Sequence, residues 1–242
     1  MRTVYREQMD NLAHDLLLMC DQIHDMNRKA SKALFDADIA AAETVLGSVD
    51  KLDELRERSE TRAIELLALE GPVAGDLRQI ISGIYIVEDM ARMGALSVHI
   101  AKTARRRHPD KAVPADTEGY FREMAKVCDS IVTHTREILT TYDVEMALTM
   151  AQEDDSIDDI HQHLFSLTTS DTWAHSSKVT VDVTLLSRYY ERFADHAVEV
   201  AARVVYLATG YKPGEYLGRI EGQEELDQLR TRISNLERHF DN

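Results

Sequence analysis

Two carboxylate pairs carry the first chemical signal in this chain. Asp154 and Asp158 are four residues apart in Glu-Asp-Asp-Ser-Ile-Asp-Asp, and Glu191 and Asp195 repeat that spacing further on. On a helix this interval puts both members of a pair on one face, where like charges weaken the helix slightly unless something neutralises them. A turn expected near Trp173-Ala174-His175 lies almost midway between Asp158 and Glu191. Two antiparallel helices joined there would carry both pairs at about the same height. Four converging carboxylates make an oxygen-rich set suited to hard or borderline cations, with iron, manganese, zinc and magnesium (or calcium) as the candidates. His161 and His196 stand close by, either as nitrogen donors or as ordinary surface and packing residues.

The elements that must hold these groups read as helices nearly throughout. Leu12, Leu16, Met19, Ile23, Met26 and Ala30 follow the three-and-four spacing of a single buried stripe. A second helix is expected from about Asp38 to Leu69, ended by Glu70-Gly71-Pro72, with Pro72 in the first turn of a third. That third helix runs to about Arg107, and Pro109 and Pro114 bracket a linker. Arg105-Arg106-Arg107 closes it, either as cations welcome at a helix C-terminus and solvated, or as a contact for an acidic partner.

After the linker the pattern returns. One constant shift, without a gap, lays Leu34, Asp38, Ala42, Asp50, Asp53 and Leu55 on Leu139, Asp143, Ala147, Asp155, Asp158 and Ile160. A slightly smaller shift lays Ala91-Arg-Met-Gly-Ala95 on Glu191-Arg-Phe-Ala-Asp195. The expected fold is therefore all-α: two tandem three-helix bundles, residues 1–108 and 115–211, giving six main helices. Residues 212–242 form a C-terminal extension whose Leu226, Leu229, Ile233 and Leu236 mark a short amphipathic helix, for packing back on the body or for dimerisation. In the first bundle the acidic set is depleted, since Ala91 and Ala95 replace Glu191 and Asp195, and Val49 replaces Asp154. Asp50 and Asp53 remain there as weak ligands or as a solvated acidic face, with Glu88 and Asp89 facing them in register.

Composition narrows the function. The 242 residues carry a net charge of −15, which disfavours nucleic acid and anionic membranes as partners. Cys20 and Cys128 sit singly in apolar helical stretches, so they read as buried thiols of a reducing compartment rather than as zinc ligands. No stretch approaches about 18 apolar residues, and the N-terminus has no apolar leader, so a cytoplasmic protein without membrane insertion is expected.

The residues Glu191-Arg-Phe-Ala-Asp-His-Ala197, followed by Ala202-Arg-Val204 and Thr209-Gly210, resemble the PhoU family. Its members typically carry Leu-Glu-Arg-Ile-Gly-Asp-His-Ala, then Ala-Glu-Arg-Val and Thr-Gly. Leu66-Leu-Ala-Leu-Glu-Gly-Pro-Val-Ala-Gly-Asp-Leu-Arg78 resembles the family's other hallmark. The resemblance implies a pair of three-helix bundles with Glu/Asp-x-x-x-Asp metal motifs, and negative regulation of the phosphate-starvation response. It also implies two partners, the phosphate ABC transporter through its ATPase subunit and a phosphate-sensing histidine kinase, with a homodimer as a further expectation. The family's metal positions fall on Asp154, Asp158, Glu191 and Asp195, and only partly on Asp50 and Asp53.

Two rivals differ in class. A ferritin-like di-metal carboxylate enzyme needs Glu-x-x-His on two helices, and no Glu-x-x-His occurs in the chain. No Gly-rich phosphate loop or nucleophile set is present either, so a non-enzyme is expected. The other rival is a helical adaptor that holds no metal.

Overall fold

Residues 2–223 are described in this computed structural model, and among them there are seven helices up to Thr209, a further helical segment after it, and no strand. The first bundle comprises α1 (Arg2–Asp36), α2 (Ile39–Leu46), α3 (Val49–Glu70) and α4 (Gly75–Arg107). The second comprises α5 (Glu118–Thr141), α6 (Val144–Thr168) and α7 (Ser177–Thr209). A helical extension at 213–223 follows, with Tyr216 packed against the core. The apolar seam expected at Leu226, Leu229, Ile233 and Leu236 lies outside the described residues. Among the described residues no helix is long and apolar enough to cross a membrane.

The internal repeat is visible in the backbone. Asp38 and Asp143, matched by the constant shift, are both N-caps, accepting hydrogen bonds from the Ala41 and Met146 amides at 3.0 Å. The residues before them, Ala37 and Tyr142, both take a left-handed conformation (φ 50° and 55°) that ends the preceding helix. One departure from expectation concerns the second helix, which is two helices, α2 and α3. Gly47, a poor helix former, sits at the break, where the Ser48 amide turns to Val45 O in an i→i+3 bond and the Ser48 hydroxyl donates to Thr44 O. The corresponding segment of α6 has no glycine and continues unbroken. The third helix starts later than Pro72 suggests, because Gly71 and Ala74 both hold positive φ and keep 71–74 out of the helix.

Both bundles feed one apolar core. It runs from Met19, Ile23 and Met26 on α1 through Ile86 and Met93 on α4 to Phe121 on α5 and Tyr190 and Phe193 on α7. A smaller cluster of Met9, Leu12, Ala63, Leu66 and Ile80 closes one end of the first bundle. Cys20 and Cys128 are buried free thiols, donating weakly to Val132 O and Tyr190 O, and burial pushes the pKa of both upward.

Between the bundles, α4 and α7 run antiparallel along their length. His196 lies 3.0 Å from Asp89, His99 stacks on Tyr189 with ring centroids 5.1 Å apart, and Arg203 covers the Tyr85 ring. The α1–α5 pair is also antiparallel, bridged by His24–Asp129 and Arg136–Asp21. At one end of the seam Arg106 and Arg107 converge on Asp182, which is only 1% exposed. The triple arginine fills the last turn of α4, as expected, and does more: two of its members neutralise a buried carboxylate of α7, and Arg105 pairs with Glu43. At the other end Gly210, at φ 80°, presses on Arg78, whose guanidinium would lie 2.5 Å from any Cβ placed there.

Removing Asp182 strands a largely buried arginine cation. Asp182→Ala is expected to destabilise the chain by about 3 kcal/mol, measured by denaturant unfolding. A loss within experimental error would show that Arg107 finds another partner.

Candidate metal centre

The acidic pairs owe their placement to two helices and a short connection. α6 carries Asp154 and Asp158 one turn apart, and α7 returns antiparallel with Glu191 and Asp195 one turn apart. Oxygens of Asp154, Asp158 and Asp195 come together within 4.8 Å of one another, each residue half-buried. This is the one cluster of three or more ligand-bearing side chains of that tightness among the described residues. Glu191 borders it, deeper than the rest at 7% exposure.

The electrostatics are those of crowded, partly dehydrated carboxylates. Burial first, then Asp195, Asp158 and Glu191, push the Asp154 carboxyl up from 3.8 to about 7. Asp158 and Glu191 are raised as well, each by burial first and the Asp195 charge second. Two oxygens are left without hydrogen-bond partners although both are fully buried, Asp154 Oδ1 and Glu191 Oε2. A buried carboxylate oxygen without a donor is costly, and a metal ion satisfies it where no N–H is available. The donor set, carboxylates alone, fits a hard or borderline cation.

The remaining sequence candidates are disposed differently. His161 accepts or donates at Nδ1 to Ser187 Oγ at 2.9 Å, and burial lowers its pKa. His196 turns to Asp89 across the seam, tying the neighbour of Asp195 to the first bundle. Asp50 and Asp53 are exposed and join no such cluster. Beside them Arg56 bonds Glu88 at 3.1 Å and Glu60 at 2.8 Å, so an internal cation already serves the carboxylate of α4. Arg188 was not singled out from sequence. It pairs with Glu191 Oε1, a contact whose only signal is an arginine three residues before a glutamate.

The raised Asp154 value fixes a sign. The folded chain keeps a proton there that the unfolded chain releases near 3.8, so this group's contribution is lost as pH rises through about 7. Thermal unfolding of metal-free protein between about pH 5 and pH 8 should therefore show the parent chain losing stability relative to Asp154→Asn. Parallel curves for the two proteins would sink the assignment.

Comparison with known proteins agrees with this architecture. The PhoU domain matches twice, at residues 16–104 and 121–204. The chain is 48% identical over 213 residues to the phosphate-specific transport system accessory protein PhoU homolog 2 of Mycobacterium tuberculosis, covering 88% of this chain and 100% of the relative. It is 46% identical to PhoU homolog 1 of Mycobacterium leprae, covering 88% and 96%. PhoU from Pseudomonas aeruginosa superposes with a TM-score of 0.77 at 24% identity, over 86% of this chain and 100% of that one, a likeness of fold. With the domain duplicated and the curated relatives spanned almost end to end, the chain belongs to the PhoU family.

Proposed function

We propose that this chain is a metal-dependent regulatory accessory protein of phosphate uptake. The observation that carries the metal reading is the convergence of Asp154, Asp158 and Asp195 within 4.8 Å beside two buried, unpartnered carboxylate oxygens. Asp154, Asp158, Glu191 and Asp195 would hold the ion, and a cation there supplies charge neutralisation and a rigid link between α6 and α7. Iron, manganese, zinc or magnesium all suit the donors. The first bundle, with Asp50 and Asp53 exposed and Arg56 on Glu88, supports one centre rather than two.

The phosphate role follows the relatives, which are named as accessory proteins of phosphate-specific transport. On this reading the chain works in the cytoplasm as a negative regulator of the phosphate-starvation response. It couples the ATPase subunit of the phosphate ABC transporter to a phosphate-sensing histidine kinase, as a non-enzymatic adaptor. The metal ion sets the rigidity of the second bundle and so the surface offered to partners. A ferritin-like oxidase gains no support from the site, where neither histidine beside the acidic pairs is free of another contact.

Elemental analysis of untagged protein, purified without chelating resin, tests the centre. About one ion per chain is expected, lost in the double variant Glu191→Ala/Asp195→Ala with helicity retained. A variant that keeps full stoichiometry would remove these residues from the site. A parent chain that is metal-free and gains no thermal stability from added ions would leave an adaptor without metal.

A further inference from the structure

We infer that Arg188 is a built-in competitor for the metal ion: its guanidinium holds Glu191 in the metal-free protein and has to give up that carboxylate when the ion binds. The inference rests on the metal centre proposed above and concerns what sets its affinity.

Arg188 lies one turn before Glu191 on α7, and its Nη1 pairs with Glu191 Oε1. The two groups differ in depth. Glu191 is 7% exposed, whereas the Arg188 side chain is 46% exposed and reaches the carboxylate from the solvent side. The other oxygen, Oε2, is buried without a partner, so one guanidinium satisfies only half of this carboxylate. On the α6 side its charge favours ionised Asp158 without a hydrogen bond, and Asp154 Oδ1 is also unpartnered. The neighbouring Arg192 stands farther from its acid, at 3.9 Å from Asp195. Arg188 is therefore the cation already seated on a ligand, and an incomplete substitute for an ion that could reach all four carboxylates.

The first bundle carries a different arrangement at the same level. There Glu88 occupies the position matching Arg188, and Arg56 the position matching His161. These two pair at 3.1 Å from α3 to α4, and alanines stand where Glu191 and Asp195 would be. That arginine bridges the two helices and is shared between Glu88 and Glu60. An arginine on the same helix as its glutamate, as in the second bundle, makes its ion pair with that glutamate and none with the facing aspartates. An arginine thus bridges the helices in one half, and in the other an arginine on a single helix competes with the ion.

Direct competition and a positioning role predict opposite signs. If Arg188 preorganises Glu191 for the metal, its removal weakens binding; if it competes, removal strengthens it. The test is calorimetric titration of the full chain with manganese(II) for the parent, Arg188→Gln, Arg188→Lys and Arg192→Gln, each checked for parental helicity. Arg188→Gln should bind roughly two- to fivefold more tightly, the scale on which a partly solvated ion pair operates. Arg188→Lys, which keeps a cation on Glu191, should stay near the parent. Arg192→Gln removes the same charge without freeing a bonded carboxylate and should gain less. Equal or weaker binding by Arg188→Gln, or an equal gain in Arg192→Gln, overturns the competitor role while the metal centre stands. If neither the parent nor Arg188→Gln takes up manganese, the metal reading has failed and this inference falls with it.

Discussion

Carboxylates facing each other across a helix pair are stable in two ways only: enough protons bind to quench the charge, or a cation sits among them. In this chain α6 and α7 force that choice, because each brings an acidic pair to the same level and the apolar core beneath keeps water away from one side. The raised value of Asp154 and the unpartnered oxygens of Asp154 and Glu191 are the marks of a site in which neither remedy is complete. Much of the second bundle answers to this constraint. Ser187 engages His161, Arg188 engages Glu191, and His196 is drawn off to Asp89.

The core sets how far that constraint can be relieved by movement. Tyr190 is fully buried next to Glu191 in sequence, its hydroxyl 2.9 Å from that of Ser31 on α1. Phe193 and Ala194, between Glu191 and Asp195, are also fully buried. With one face of α7 packed into the core, the opposite face can change its charge partners but cannot rotate away. The acidic cluster is thus held in place by apolar packing, which is indifferent to whether its charges are satisfied.

The convergence of Asp154, Asp158 and Asp195 was legible in sequence because two rules overlap on them: the four-residue interval of a helix face and a turn nearly midway between the pairs. The helical repeat was legible for a similar reason, since Asp38 and Asp143 are caps as well as matched positions. What escaped depended on distance in space. Asp182 reads as an ordinary acidic residue of an amphipathic helix, and only the antiparallel docking of α7 on α4 brings it beneath Arg106 and Arg107. The break at Gly47 escaped because one glycine within an otherwise regular pattern costs about 1 kcal/mol, too little to predict an interruption. Arg188 was hidden by the motif that contains it, where attention falls on the acids and not on the cation beside them.

The two antiparallel seams, α1 on α5 and α4 on α7, give the bundles an arrangement close to two-fold symmetry. Two separate copies of a three-helix chain could meet in the same way as a homodimer, but every substitution would then appear twice. Joined in one polypeptide, the copies are free to diverge position by position. One half can carry Ala91 and Ala95 and pair Arg56 with Glu88, while the other keeps Glu191 and Asp195. Covalent fusion thereby permits something a symmetric dimer cannot have: an acidic cluster in one half of the molecule and an arginine–glutamate pair at the same level of the other.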